Sequence, residues 1–180
     1  MSRIPFLAGA LARHLTHEFA GPLAALVTIA ELSPDADPLL TQAIAELRTR
    51  LSLARLLFGG EPTCAFDRTE AEALLAAHLA DRGHRLAVAL PVQDRPARGT
   101  LLLCLAAADR LMAPGAVVAT PGEVVVQGRH RANDPALVEA LETGTTAEPH
   151  LAAAAFASAL LGPLKVHSSA SGLAFSATLP

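Results

Sequence analysis

The sequence predicts an α+β protein in two parts, an N-terminal helical hairpin over residues 1–62 that forms a dimeric four-helix bundle, and an α/β sandwich over residues 63–180. Three observations predict it. Apolar residues recur at helical spacing from Ile4 to Phe58, the pair Gly59-Gly60 closes that run, and beyond it short β-branched runs alternate with helical ones. With 180 residues, 52% hydrophobic and 17% charged, the chain can bury a sizeable core and does not read as disordered.

The first helix is expected over Ile4–Leu32, where Ile4, Leu7, Leu11, Leu15, Phe19, Pro22, Leu26 and Ile29 form one stripe. Pro22 should kink it. Ser33-Pro34 interrupts the pattern, and Asp37 followed by Pro38 matches an N-cap with proline at the first helical position. Leu40, Ile44, Leu47, Leu51, Ala54 and Phe58 then follow at alternating spacings of four and three, the seam of a bundle. Two antiparallel helices cannot cover both of their apolar faces, so a homodimer is the economical way to complete the bundle.

In the second part, helices are expected near Thr69–Asp81, Thr100–Met112, Asp134–Leu141 and His150–Leu161. Strands are expected at Leu86–Leu90, Ala116–Ala119, Val124–Gln127, Leu164–His167 and Leu173–Thr178, most of them bounded by glycine or proline. Helices grouped on one face of a mixed or antiparallel sheet would accommodate that order.

The net charge of −3 argues against a protein that neutralises the phosphates of a duplex, so no nucleic-acid partner is expected. Charged residues or proline interrupt every apolar stretch long enough to span a bilayer, and no basic, apolar leader opens the chain. A soluble, cytoplasmic protein without a membrane partner is expected. Cys64 and Cys104 stand among apolar neighbours and read as small core residues. His78, His84, His130, His150 and His167 are scattered and read as surface or loop residues.

The segment richest in chemistry is His17-Glu18-Phe19-Ala20-Gly21-Pro22. At about 100° per residue, His17 projects away from the apolar stripe, while Phe19 and Pro22 lie within it. Its neighbours on the solvent face are Ala20, Gly21 and Ala24, so little stands above the helix surface and a partner domain can approach closely. An exposed neutral imidazole suits in-line attack on an acyl phosphate, with Glu18 orienting the other ring nitrogen or accepting its proton. Arg13, Ala20, Gly21 and Ala24 form the expected docking surface, and Pro22 is the structural member of the motif. A metal site at His14, His17 and Glu18 is disfavoured, because the second histidine of a zinc-protease helix would fall at Gly21 and no third ligand follows. No G-x-S-x-G and no paired carboxylates suggest a hydrolase.

The segment resembles the phosphoacceptor motif of histidine-kinase dimerisation helices: a histidine, an acid, an apolar residue, two variable residues and a proline. The second part resembles a histidine-kinase ATPase domain in outline, yet it lacks the nucleotide site. Its helix Leu101-Leu102-Leu103-Cys104-Leu105-Ala106-Ala107-Ala108 carries no asparagine to hold magnesium, no G-x-G element exists, and Lys165 is not set in a phosphate-cradling loop. An intact hairpin joined to such a domain is similar to the ChpT-type histidine phosphotransferases. That resemblance implies a homodimer carrying phosphate on His17 between receiver domains of a hybrid kinase and of response regulators. It implies no stably bound cofactor, with magnesium on the partner receiver domain. The alternative is a non-catalytic dimeric adaptor or regulator of a two-component system.

Overall fold

The computed structural model describes residues 19, 21–26, 28–29, 37–58, 66–131, 135–169 and 172–177. Those described within 19–29 are helical and are termed α1. They are followed by α2 (Asp37–Phe58), α3 (Arg68–Asp81), β1 (Arg85–Val88), α4 (Asp94–Ala108), β2 (Ala116–Thr120), β3 (Glu123–Gln127) and α5 (Pro135–Thr143). A 3-10 turn at Pro149–Leu151 leads into α6 (Ala152–Leu161), and β4 (Leu164–Ser169) and β5 (Gly172–Ala177) complete the order. This is an α+β fold, as the sequence predicts. The expected boundary at residues 62 and 63 lies outside the described residues.

The five strands form one mixed sheet in the order β1-β2-β3-β5-β4, with β1 and β2 parallel and the other neighbours antiparallel. Alternation sorts its two faces. Val117, Ala119, Val124, Val126, Leu173 and Phe175 are buried towards the helices. The next residues along each strand, among them Val118, Val125 and Ala174, are only half-buried. Helix α4 crosses β2 and β3 and lies along α6, while α3 flanks it on the β1 side.

Helix α4 starts at Asp94, six residues earlier than its sequence suggests, because Pro96 and Gly99 imitate a loop. Pro96 falls in the first turn, where a missing N–H costs no intrahelical bond. Gly99 is set by packing: a Cβ there would meet Leu161 Cγ at 2.7 Å, so the glycine lets α4 and α6 approach. Arg95 tightens the same junction by donating from Nε to Leu160 O at 3.2 Å and from Nη2 to Ala159 O at 3.3 Å, two terminal carbonyls of α6. At its other end α4 stops at Ala108 rather than Met112, because the chain turns to pair with a later segment. Leu111 bridges His130, Met112 N donates to Arg129 O at 2.9 Å, and Arg131 N donates to Arg110 O at 2.8 Å.

Among the described side chains of α2 the buried ones are Leu53 and Leu57, which join the cluster containing Leu75, Leu79 and Leu105. They lie on a different face from the seam read from the sequence. Of that seam, Leu40, Leu47, Ala54 and Phe58 are half-buried, while Ile44 and Leu51 are 43% and 48% exposed. The apolar content of α2 therefore covers two faces, one turned to the second part of the molecule and one left open.

Candidate functional site

Of the residues singled out by the motif, Arg13, His17, Glu18 and Ala20 lie outside the described residues, whereas Gly21, Pro22 and Ala24 are described. Gly21 and Ala24 are exposed, as is Thr28, the next residue on the same side of the helix. Thr28 turns its hydroxyl back onto the helix, donating to Ala24 O at 3.0 Å, so it presents only a methyl edge above that surface. A Cβ at Gly21 would meet nothing within 4 Å. The opposite side of α1, formed by Phe19, Pro22, Leu26 and Ile29, is half-buried. The exposure of α1 thus follows its hydrophobic pattern, with a smooth strip of small residues on the open side.

Phe19 has a role its place in the stripe did not reveal. It borders a small cavity with Leu53, Leu57, His78, Arg82 and Asp109, where α1, α2, α3 and α4 converge. The polar wall of that cavity is an ion pair, Arg82 Nη1 to Asp109 Oδ1 at 2.6 Å. Nearby, Phe58 meets Phe156 edge to face at a centroid distance of 5.4 Å. That ring contact ties α2 to α6, while Phe19 brings α1 to the wall of the cavity.

Helix α4 corresponds to the helix on which the kinase resemblance would place nucleotide ligands. Leu101 through Ala108 are all buried, including Cys104 at 0% exposure. Burial pushes the Cys104 thiol up to about 12, so it is inert packing, as its apolar neighbours suggested. Cys64 lies outside the described residues.

On the other side of the Arg82–Asp109 pair lies a cleft of about 560 Å³, also lined by Arg110, Arg131 and His150. Arg110 is buried at 6% exposure. No local pattern could have found this group, because its arginines are far apart in sequence: Arg110 and Arg131 meet through the pairing of residues 110–112 with 129–131, and Arg82 joins them through Asp109. Of the five remaining histidines read as surface or loop residues, His78 needs correction, and His84, though in a loop, is not at the surface. His78, on α3, and His84, just before β1, are buried at 8% and 7% exposure. Burial, then the neighbouring Arg82, holds the His84 imidazole below its usual range, with Asp109 opposing.

Among the described residues no group of three His, Cys, Asp or Glu could hold a metal ion, and no helix is long and apolar enough to cross a membrane. The histidines of the disfavoured metal cluster, at positions 14 and 17, lie outside the described residues.

A 1.7 Å structure of a bacterial phosphotransferase is similar over the full chain, with a TM-score of 0.77, 19% identity, and coverage of 98% of this chain and 97% of that one. At that identity the likeness establishes the fold. No family model and no curated protein matches the sequence.

Proposed function

We propose that the chain is a histidine phosphotransferase, relaying a phosphoryl group through His17 between receiver-domain aspartates in a bacterial phosphorelay without using ATP. The observation that carries this reading is the open, small-residue strip of Gly21, Ala24 and Thr28. It continues the side of the helix to which His17 belongs by spacing, directly behind a complete His-acid-apolar-x-x-Pro motif. The full-length likeness to a protein named as a bacterial phosphotransferase agrees with it.

In the proposed transfer, a neutral ring nitrogen of His17 attacks the phosphorus of a receiver's aspartyl phosphate. The N–P bond forms as the acyl P–O bond breaks, and the released carboxylate stays with the receiver's magnesium ion. Glu18 orients the second ring nitrogen and accepts its proton as phosphorylation makes the ring cationic. The second half-reaction reverses these bonds on another receiver. Arg13, Ala20, Gly21 and Ala24 form the docking surface. The homodimer is proposed to close over the apolar residues left open on α1 and α2, Leu23, Leu39, Ile44 and Leu51, which are between 43% and 60% exposed in the single chain. The cytoplasm, where hybrid kinases present their receivers, is the proposed compartment.

The test is to mix the purified protein with a phosphorylated receiver domain and magnesium, then follow the label. An acid-labile, alkali-stable phosphate is expected on the wild type and absent from His17→Ala. If the wild type takes no phosphate from any of a panel of receivers, the adaptor reading replaces this one.

A further inference from the structure

We infer that the face of the sheet turned away from the helices is a docking surface for an amphipathic helix of a partner protein, one whose apolar side is flanked by acidic residues. The inward residues of the middle strands, Val117, Ala119, Val124, Val126, Leu173 and Phe175, belong to the core. Their alternates do not: Val118, Val125 and Ala174 are half-buried, Ala87 is exposed, and none of these four belongs to the core or packs against it. The register sets them in one row, Ala87-Val118-Val125-Ala174-His167, across all five strands. Ala116 and Ser176 lie in the rows on either side, so the middle of the face is low in relief and a partner's backbone can come close.

Charge marks two corners of this face. Arg85, on the β1 edge, shares the row of Ala116, and Lys165, on the β4 edge, shares the row of Ser176 and Glu123, so the two cations are diagonally opposed. Arg85, Lys165, Glu123 and His167 are all exposed, and none of them is in an ion pair among the described residues. With neighbouring strands about 4.8 Å apart, the two edges are roughly 19 Å from each other. A helix about 10–12 Å across fits over the two valines with one cation on either side, within reach of acids on its flanks. His167, on the same edge as Lys165, offers a ring N–H to a further acid. A second sheet as wide as this one would instead cover both cations, and burying an unpaired charge is costly. Glu123 stands opposite Thr120 at the β2–β3 turn, so a basic residue suits that end of the partner helix and gives it a direction. Docking here does not depend on phosphotransfer through His17, and its test is a direct measure of binding.

The experiment titrates the full chain into two fluorescently labelled helical peptides that share a leucine ridge and differ in its flanks, glutamate in one and lysine in the other. The glutamate peptide should bind about tenfold more tightly than the lysine peptide, and added salt should weaken it. Arg85→Glu and Lys165→Glu, at exposed edge positions, should each reduce that preference about fivefold, and the doubly substituted chain should favour the lysine peptide. Thermal melts of these proteins should coincide with that of the wild type. Val125→Asp, in the middle of the row, should remove binding of both peptides. Absence of binding at millimolar chain, equal affinity for the two peptides, or an unchanged preference in the doubly substituted chain would overturn the assignment. So would a self-association that Val125→Asp removes and Leu51→Asp does not, which would give the face to a second copy of the chain.

Discussion

Helices α2 and α4 are both rich in leucine and alanine, yet their surroundings are opposite. From Leu101 to Ala108 every residue of α4 is buried, because the sheet, α3 and α6 surround it. Among the described side chains of α2 only Leu53 and Leu57 are buried, and Leu39, Ile44 and Leu51 are exposed. A helix that is apolar all round belongs inside a fold, whereas one that is apolar on two separated faces has a second contact to make. The first arrangement leaves Leu101 to Ala108 without a side chain that faces solvent. The second is the surface on which the proposed dimer depends.

Placing the same charge on each helix tests this contrast most severely. Leu102→Asp buries an unpaired carboxylate at a site with 0% exposure and should cost on the order of 4 kcal/mol or more, enough to abolish cooperative thermal unfolding. Leu51→Asp, at a position 48% exposed in the single chain, should leave helical content intact while shifting the protein from dimer to monomer in sedimentation experiments. A Leu51→Asp protein that stays dimeric would remove that face from the interface.

Two glycines sharpen the same comparison at smaller scale. Gly99→Val puts its Cβ only 2.7 Å from Leu161 Cγ, so α4 and α6 must separate at a cost of about 2 kcal/mol, read from denaturant melts. Gly21→Arg meets open space and should leave the melt within about 0.5 kcal/mol of wild type. It should nevertheless slow phosphate uptake from a receiver, and an unaltered rate would move the docking surface elsewhere.

The mildest effect at neutral pH concerns Cys104. Its folded-state pKa is raised from 9.0 to about 12, so between those values the folded protein retains a proton that the unfolded chain releases. The stabilisation from the neutral thiol is therefore full below pH 9 and is lost as pH rises towards 12. Cys104→Ala should flatten the alkaline limb of a stability–pH curve and leave its slope near neutrality unchanged. An identical alkaline limb in both proteins would assign the loss to other groups.

Local spacing by itself determined much of this protein. It located the described helices and strands to within a few residues outside α4, indicated the α+β class, and assigned the exposed and half-buried sides of α1, because the period of apolar residues is a property of neighbours along the chain. The tripeptide Pro-Ala-Arg before Gly99 hid the start of α4, since what makes a glycine necessary there is Leu161, far away in sequence. Tertiary structure alone decided that Leu53 and Leu57 turn towards α3 and α4, that His78 and His84 are buried, and that Arg82, Arg110 and Arg131 share a cleft. Periodicity states that a face is apolar or open; which other segment meets that face depends on contacts across the whole chain, and only the folded backbone brings those together.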